Sequence, residues 1–208
     1  MAHSKIVLFG GTFDPVHLGH TAVARCAAER IGAERVVFIP ARRSPLKSFF
    51  PTASDEDRLN MIALAIADQS GFEVSDYEIK KTGPSFTLQT VRKFEEDFGP
   101  QADIYWLAGA DVVNELNRWH GILELIDECS LAIMYRAGCD KPHFSKYEDT
   151  WGRKRIEKMR HNVIETPLVN ISSTEIRKRL AAGEDPTKMT DVLHPEVAAY
   201  IKARGLYK

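Results

Sequence analysis

The apolar residues of this chain fall into short continuous runs separated by amphipathic stretches. Ile6-Val7-Leu8-Phe9, Arg35-Val36-Val37-Phe38-Ile39, Ile104-Tyr105-Trp106-Leu107-Ala108 and Leu131-Ala132-Ile133-Met134 do not alternate with polar residues. They therefore read as strands buried on both faces. Phe72-Glu73-Val74 reads as a shorter one. Between these runs the period changes. Over Thr21 to Ile31, Val23, Ala24, Ala27, Ala28 and Ile31 form one helical stripe. A second helix opens at Ser54, an N-cap with Asp57 at the capping-box position, and presents Leu59, Ile62, Ala63 and Ile66. Phe86 to Phe98, Ser172 to Leu180 and Pro195 to Arg204 read as further helices. Strands alternating with helices predict parallel pairing through right-handed crossovers. The expected fold is α/β, a Rossmann-like doubly wound parallel sheet, with residues 1–208 as a single domain. Gly138 to Asp149 is the most polar irregular stretch and is expected to be a surface excursion.

Composition narrows the function classes. With a net charge of −1 over 208 residues, no global basic field points to nucleic acid. No apolar run is long enough to cross a bilayer and none resembles a signal peptide, so a cytoplasmic location and no membrane partner are expected. Cys26, Cys129 and Cys139 have no metal or redox spacing, and their odd number argues against a disulfide framework.

In a sheet of this kind, ligands bind outside the carboxyl ends of the strands. The segment after the first run is Gly10-Gly11-Thr12-Phe13-Asp14-Pro15-Val16-His17-Leu18-Gly19-His20. Glycines allow a tight turn and a close approach of backbone N–H groups to a ligand, and a helix start behind them suits an anion. His17 and His20 are three residues apart, so they share one helical face. The dinucleotide and Walker patterns are absent. A zinc site would need a third ligand and lacks the glutamate of a metalloprotease helix, which ranks phosphate handling above it. The loop Pro40-Ala41-Arg42-Arg43-Ser44-Pro45-Leu46-Lys47 places three cations where a phosphate could bind, and reads equally as a solvated basic loop. Ser172 and Glu175 form a capping box. The hydroxyls and N–H groups there, with Arg177 one turn later, also suit a polyphosphate.

The glycine–histidine segment resembles the signature of the nucleotidylyltransferase superfamily and, more narrowly, that of bacterial nicotinate-nucleotide adenylyltransferases. The resemblance runs from Gly10 to Arg177 through Ser54 and Arg58, Gly83-Pro84-Ser85-Phe86-Thr87, Gly109-Ala110-Asp111, Trp119-His120, Arg136 and Ile171-Ser172-Ser173. This chain has Gln89 where the family usually carries Asp. The resemblance implies that Gly10, Gly11, Thr12, Phe13, Gly109, Asp111, Ile171 and Ser172 line the ATP site, with Gly109 and Asp111 at the ribose. It implies that Ser85 and Thr87 serve the acceptor, with Thr12, Lys47 and Arg136. Trp119 would stack on its pyridine ring, beside the backbone N–H of His120.

The implied reaction joins the AMP moiety of ATP to nicotinate mononucleotide, giving deamido-NAD and pyrophosphate in NAD biosynthesis. The attacking phosphate oxygen is already an anion near neutral pH, so neither a general base nor a nucleophilic Ser or Cys is required. His17 and His20 are expected to donate to the ATP phosphates. Lys47, Ser173 and Arg177 would hold the β and γ phosphates, and Mg²⁺ would arrive with ATP. The rival readings are an adenylyltransferase of the same superfamily acting on nicotinamide mononucleotide or phosphopantetheine, a non-catalytic nucleotide-binding regulator, and an H-x-x-H metal-dependent hydrolase. A homo-oligomer is compatible with the sequence, which leaves oligomeric state open.

Overall fold

The computed structural model describes residues 3–43, 50–166 and 171–208. In chain order its principal elements are β1 (Ser4–Gly11), α1 (Leu18–Ile31), β2 (Arg35–Pro40), α2 (Asp55–Ile66), β3 (Phe72–Val74), α3 (Tyr77–Lys80), α4 (Thr87–Phe98) and β4 (Ala102–Gly109). There follow α5 (Ile122–Glu128), β5 (Ser130–Arg136), α6 (Glu148–Trp151), α7 (Arg153–His161), β6 (Val163–Thr166), α8 (Ser173–Ala181) and α9 (Pro195–Arg204). The strands form one six-stranded sheet in the order β3-β2-β1-β4-β5-β6. Every pairing is parallel, as the continuous apolar runs predict.

The two faces of the sheet build two cores. Val7, Phe9 and Phe38 point into one, with residues of α1, α2, α8 and α9. Ile6, Leu8, Val37 and Ile39 point into the other, with residues of α4, α5 and α7. Successive side chains leave a strand on opposite faces, so a strand covered by helices on both sides has to be apolar throughout. This is the doubly wound Rossmann-like arrangement. Strand order grows outward from β1 to β3, then the chain returns to lay β4 on the other side of β1. That reversal leaves a crevice beyond the carboxyl ends of β1 and β4.

Several elements depart from the sequence expectation, among them the short helices α3, α5 and α6, which no pattern predicted. The helix α7 and the strand β6 lie in a region where no element was expected. Only Ile156 and Met159 of α7 are buried, and its other positions are mostly charged, so its apolar stripe is a single i, i+3 pair. The four residues of β6 pair with β5 alone at the sheet edge. The Gly138–Asp149 excursion is also corrected. Phe144 and Tyr147 are buried in the second core, Tyr147 stacks on Trp151 with centroids 3.9 Å apart, and its hydroxyl donates to the Val113 carbonyl at 2.7 Å. Two aromatics anchor a stretch whose polarity alone suggested exposure.

The start of α2 follows the expected chemistry. Ser54 Oγ accepts from the Asp57 N–H at 3.1 Å and donates to the Asp57 carboxylate at 2.6 Å. Ser54→Ala is expected to lower the unfolding free energy by about 1 kcal/mol, read from urea denaturation. Unchanged stability would remove the capping role.

Candidate active site

The crevice between β1 and β4 is occupied by two adjoining lobes. One, of about 760 Å³, is lined by the end of β1, the start of α1, the end of β5 and the start of α8. The other, of about 390 Å³, is lined by Ser85, Phe86, Thr87, Trp119 and His120 among others. Phe9, Gly10, Gly11, Thr12, Gly109 and Asp111 line both lobes. The wall between the lobes is therefore the switch point of the sheet itself.

The glycine segment has a different local geometry from the one its sequence suggested. Gly10 and Gly11 close β1, paired with Ile39 and Pro40 of β2, and the chain turns only after them. Their missing side chains are required by packing. A Cβ on Gly10 would stand 2.3 Å from the Trp106 ring, and one on Gly11 2.7 Å from the Phe13 ring. The turn itself is made by Phe13, at φ +49°, and by a cis Asp14–Pro15 bond. The Leu18 N–H at the start of α1 donates to the Val192 carbonyl, so that donor of the helix end has a protein acceptor.

His17 is the N-cap of α1 and His20 stands in its first turn. Their rings stack with centroids 3.7 Å apart and planes 24° apart, and both line the larger lobe. The His17 N–H donates to Nδ1 of His20 at 3.2 Å. A neutral His20 that accepts at Nδ1 carries its proton on Nε2. Phe13 packs on that ring in a T-shaped arrangement with centroids 5.0 Å apart, and Phe9 lies tilted beside it at 6.1 Å. Burial pushes the His17 imidazole down to about 4, so it is uncharged at neutral pH and its Nδ1 is buried without a hydrogen-bond partner. Among the described residues, no group of three or more His, Cys, Asp or Glu is arranged to hold a metal ion.

The turn is fastened by side chains from distant parts of the chain. Arg58, fully buried, donates from Nη1 to the Thr12 carbonyl at 2.8 Å and from Nη2 to Asp55 at 2.5 Å. Arg177 donates to the Asp14 carbonyl at 2.6 Å, and Ser173 Oγ to the Pro15 carbonyl at 2.9 Å. Ser172 caps α8 by accepting from the Glu175 N–H at 3.1 Å, as expected from the sequence. Ile171, Ser172, Ser173 and Arg177 line the larger lobe with the two imidazoles.

The residues assigned from sequence divide between the lobes. Gly109 and Asp111 lie on the shared wall with Gly10, Gly11 and Thr12. Ser85, Thr87, Trp119 and His120 gather in the smaller lobe. Trp119 is half-buried against the second core and also lines the lobe, where its indole N–H is buried without a partner. The His120 ring packs on Phe86 at 4.7 Å. Arg136, grouped from sequence with the acceptor residues, lines the larger lobe beside the imidazoles and not the lobe of Trp119. Lys47 lies outside the described residues.

Two buried carboxylates at the site have no role assigned from sequence, although Asp14 stands inside the glycine–histidine segment. Asp14 accepts the backbone N–H groups of Thr52 at 2.7 Å and Ala53 at 3.0 Å. Glu78 lines the smaller lobe, accepts from the Thr90 hydroxyl at 2.6 Å, and is pushed above the usual carboxylate range by burial. The partners of Asp14 are far away in sequence, and that of Glu78 stands 12 positions on in the next helix, where no short pattern links the two.

Comparison with known proteins gives a consistent picture. The cytidylyltransferase-like family profile matches residues 8–179. A Neisseria meningitidis serogroup C protein named "Probable nicotinate-nucleotide adenylyltransferase" is 39% identical over 205 residues, covering 98% of each chain. A protein of the same name from Rhodopirellula baltica is 36% identical, covering 98% of this chain and 93% of its own. The structure of Plasmodium falciparum nicotinic acid mononucleotide adenylyltransferase complexed with NaAD superimposes with a TM-score of 0.74 at 20% identity, covering 99% of this chain and 98% of that one. A sheet reversal between β1 and β4, paired imidazoles at its mouth and full-length similarity at this level all agree: the chain belongs to the nicotinate-nucleotide adenylyltransferase family of cytidylyltransferase-like nucleotidyltransferases.

Proposed function

We propose that this protein transfers the AMP moiety of ATP to nicotinate mononucleotide, releasing pyrophosphate and forming deamido-NAD, as a step of NAD biosynthesis in the cytoplasm. The observation that carries the reading is the pair of lobes sharing one wall over the ends of β1 and β4. ATP would lie in the larger lobe, its phosphates toward His17, His20, Ser173 and Arg177. The mononucleotide would lie in the smaller one, its ring against Trp119 and its carboxylate toward the start of α4 near Ser85 and Thr87. Lys47 would add a cation to the phosphates, and Asp111 an acceptor for the ribose. Arg136, in the larger lobe, would reach the mononucleotide through its phosphate near the point of reaction. Magnesium would enter as the MgATP substrate, held by the phosphate oxygens. The whole of 1–208 is read as one domain, because α9 packs on the same core as β1 and α1.

The chemistry asked of the protein is positioning and charge neutralisation. The acceptor's phosphate is its own nucleophile, and alignment of two bound reactants can contribute about 7–11 kcal/mol. An uncharged His17 suits this role as a hydrogen-bond donor. Release of pyrophosphate from ATP, compared across nicotinate mononucleotide, nicotinamide mononucleotide and phosphopantetheine, tests the reading. Fastest release with nicotinate mononucleotide is expected, and faster release with either other acceptor, or none with any, would overturn it. Trp119→Ala should raise KM for the mononucleotide on the order of 10-fold with little change in KM for ATP. A change confined to ATP would refute the stacking assignment.

A further inference from the structure

The turn carrying the two imidazoles is also held by a hydroxyl for which the reaction chemistry has no use. Asp14 is 3% exposed, and beyond the two backbone N–H groups its carboxylate accepts from the Tyr207 hydroxyl at 2.8 Å, across 193 positions of chain. Tyr207 is itself buried. It sits at φ +65°, a left-handed conformation that a residue with a Cβ adopts only where its surroundings impose it. Burial and the adjoining carboxylate hold its phenol far above the ordinary tyrosine range. The hydroxyl therefore keeps its proton and donates to Asp14. The neighbouring carbonyls of Thr12, Asp14 and Pro15 are taken by Arg58, Arg177 and Ser173. Those contacts fix the backbone of the turn, whereas its buried side chain is held by the Tyr207 hydroxyl together with the Thr52 and Ala53 N–H groups and, at 3.9 Å, the Arg177 guanidinium.

We propose that Tyr207 is a positioning residue for adenylyl transfer, orienting His17 and His20 by locking the Asp14 carboxylate beneath the turn that bears them. This rests on the reading of those imidazoles as the groups that meet the ATP phosphates. A buried tyrosine could equally serve packing alone, and the molecule contains the comparison that separates the two roles. Tyr200 on α9 also donates to a buried aspartate at 2.8 Å, Asp57 on α2, but that pair joins two helices and none of its partners belongs to the turn.

The experiment compares Tyr207→Phe with Tyr200→Phe in the full chain, measuring melting temperature, kcat, both KM values, and the imidazole proton resonances of His17 and His20 by NMR. Each change deletes one hydroxyl donor to a buried carboxylate, so both variants should melt at lower temperature. Tyr207→Phe alone should lower kcat by about 10-fold with both KM values within about twofold, and it alone should move the imidazole resonances. If both variants lose stability while kcat and the resonances stay at wild-type values, Tyr207 is a packing residue and the proposal fails. If wild-type protein releases no pyrophosphate from ATP and nicotinate mononucleotide, the reading of the reaction fails instead. The resonances then still decide whether Tyr207 positions the two rings.

Discussion

His20→Ala is expected to lower kcat by about 10²–10³-fold, the usual effect of removing one donor that stabilises charge developing in a transition state. The Kd for ATP, measured by calorimetry without acceptor, should change by no more than about threefold. The asymmetry follows from the geometry of the pair. With Nδ1 accepting from the His17 N–H, the neutral ring has Nε2 as its donor, and that ring lines the lobe assigned to the triphosphate. Charge accumulates on the phosphate oxygens as the bond to pyrophosphate stretches, so a fixed donor gains strength at that moment. The ring also fills space against Phe13 and Phe9, so His20→Asn, which keeps an N–H donor in a smaller side chain, should recover part of kcat. Equal losses in kcat and ATP affinity would mean that His20 binds ATP without favouring its transition state.

The second large effect is a dependence of stability on pH that belongs to His17. Its imidazole is held down to about 4 by burial, against about 6.5 in an unfolded chain. Between those values the unfolded state binds a proton that the folded state refuses, so stability rises with pH across this window. The contribution is intact above pH 6.5 and is lost as pH falls toward 4, reaching roughly 3 kcal/mol at about 1.4 kcal/mol per unit of pKa. At pH 4.5, wild-type protein should have lost about 2–3 kcal/mol more, relative to pH 7, than a His17→Asn variant. Denaturant titrations of both proteins at the two pH values provide the comparison. Asp57, held low by its bonds to Ser54 and Tyr200 and by Arg204, also weakens the fold in acid, and buried Glu78, held high, acts in the opposite sense. Both groups are common to the two proteins and cancel. Parallel losses in the two proteins would show that His17 is not kept neutral by burial.

These effects were readable from the chain to different degrees. The apolar runs of β1, β2, β4 and β5 declared themselves because strands covered on both faces tolerate no polar position. The Gly10 to His20 segment was legible as a motif, though not in its turn geometry, and the Ser172 cap was legible because its geometry is local. The reason for the glycines was not. Gly10 makes room for Trp106, nearly 100 positions away in sequence, and that contact exists only once β1 and β4 are paired. Asp14 and Arg58 stand in segments that carry the family resemblance, but what they hold, like the bond of Glu78 to Thr90, appears only once the chain is folded. Arg136 could be placed at a strand end from sequence, but the lobe it joins depends on which side of the switch point β5 lies. The weak stripe of α7 and the four residues of β6 offered too little periodicity to read.

The central claim is that the acceptor's own phosphate attacks ATP directly across the wall between the two lobes, with the imidazoles as donors and not as nucleophiles. An uncharged histidine could in principle take the adenylyl group first. The configuration at the α-phosphorus separates the two routes, using ATP made chiral there by a sulfur substitution and nicotinate mononucleotide as acceptor. One direct displacement predicts inversion in the dinucleotide product, and retention would contradict the account.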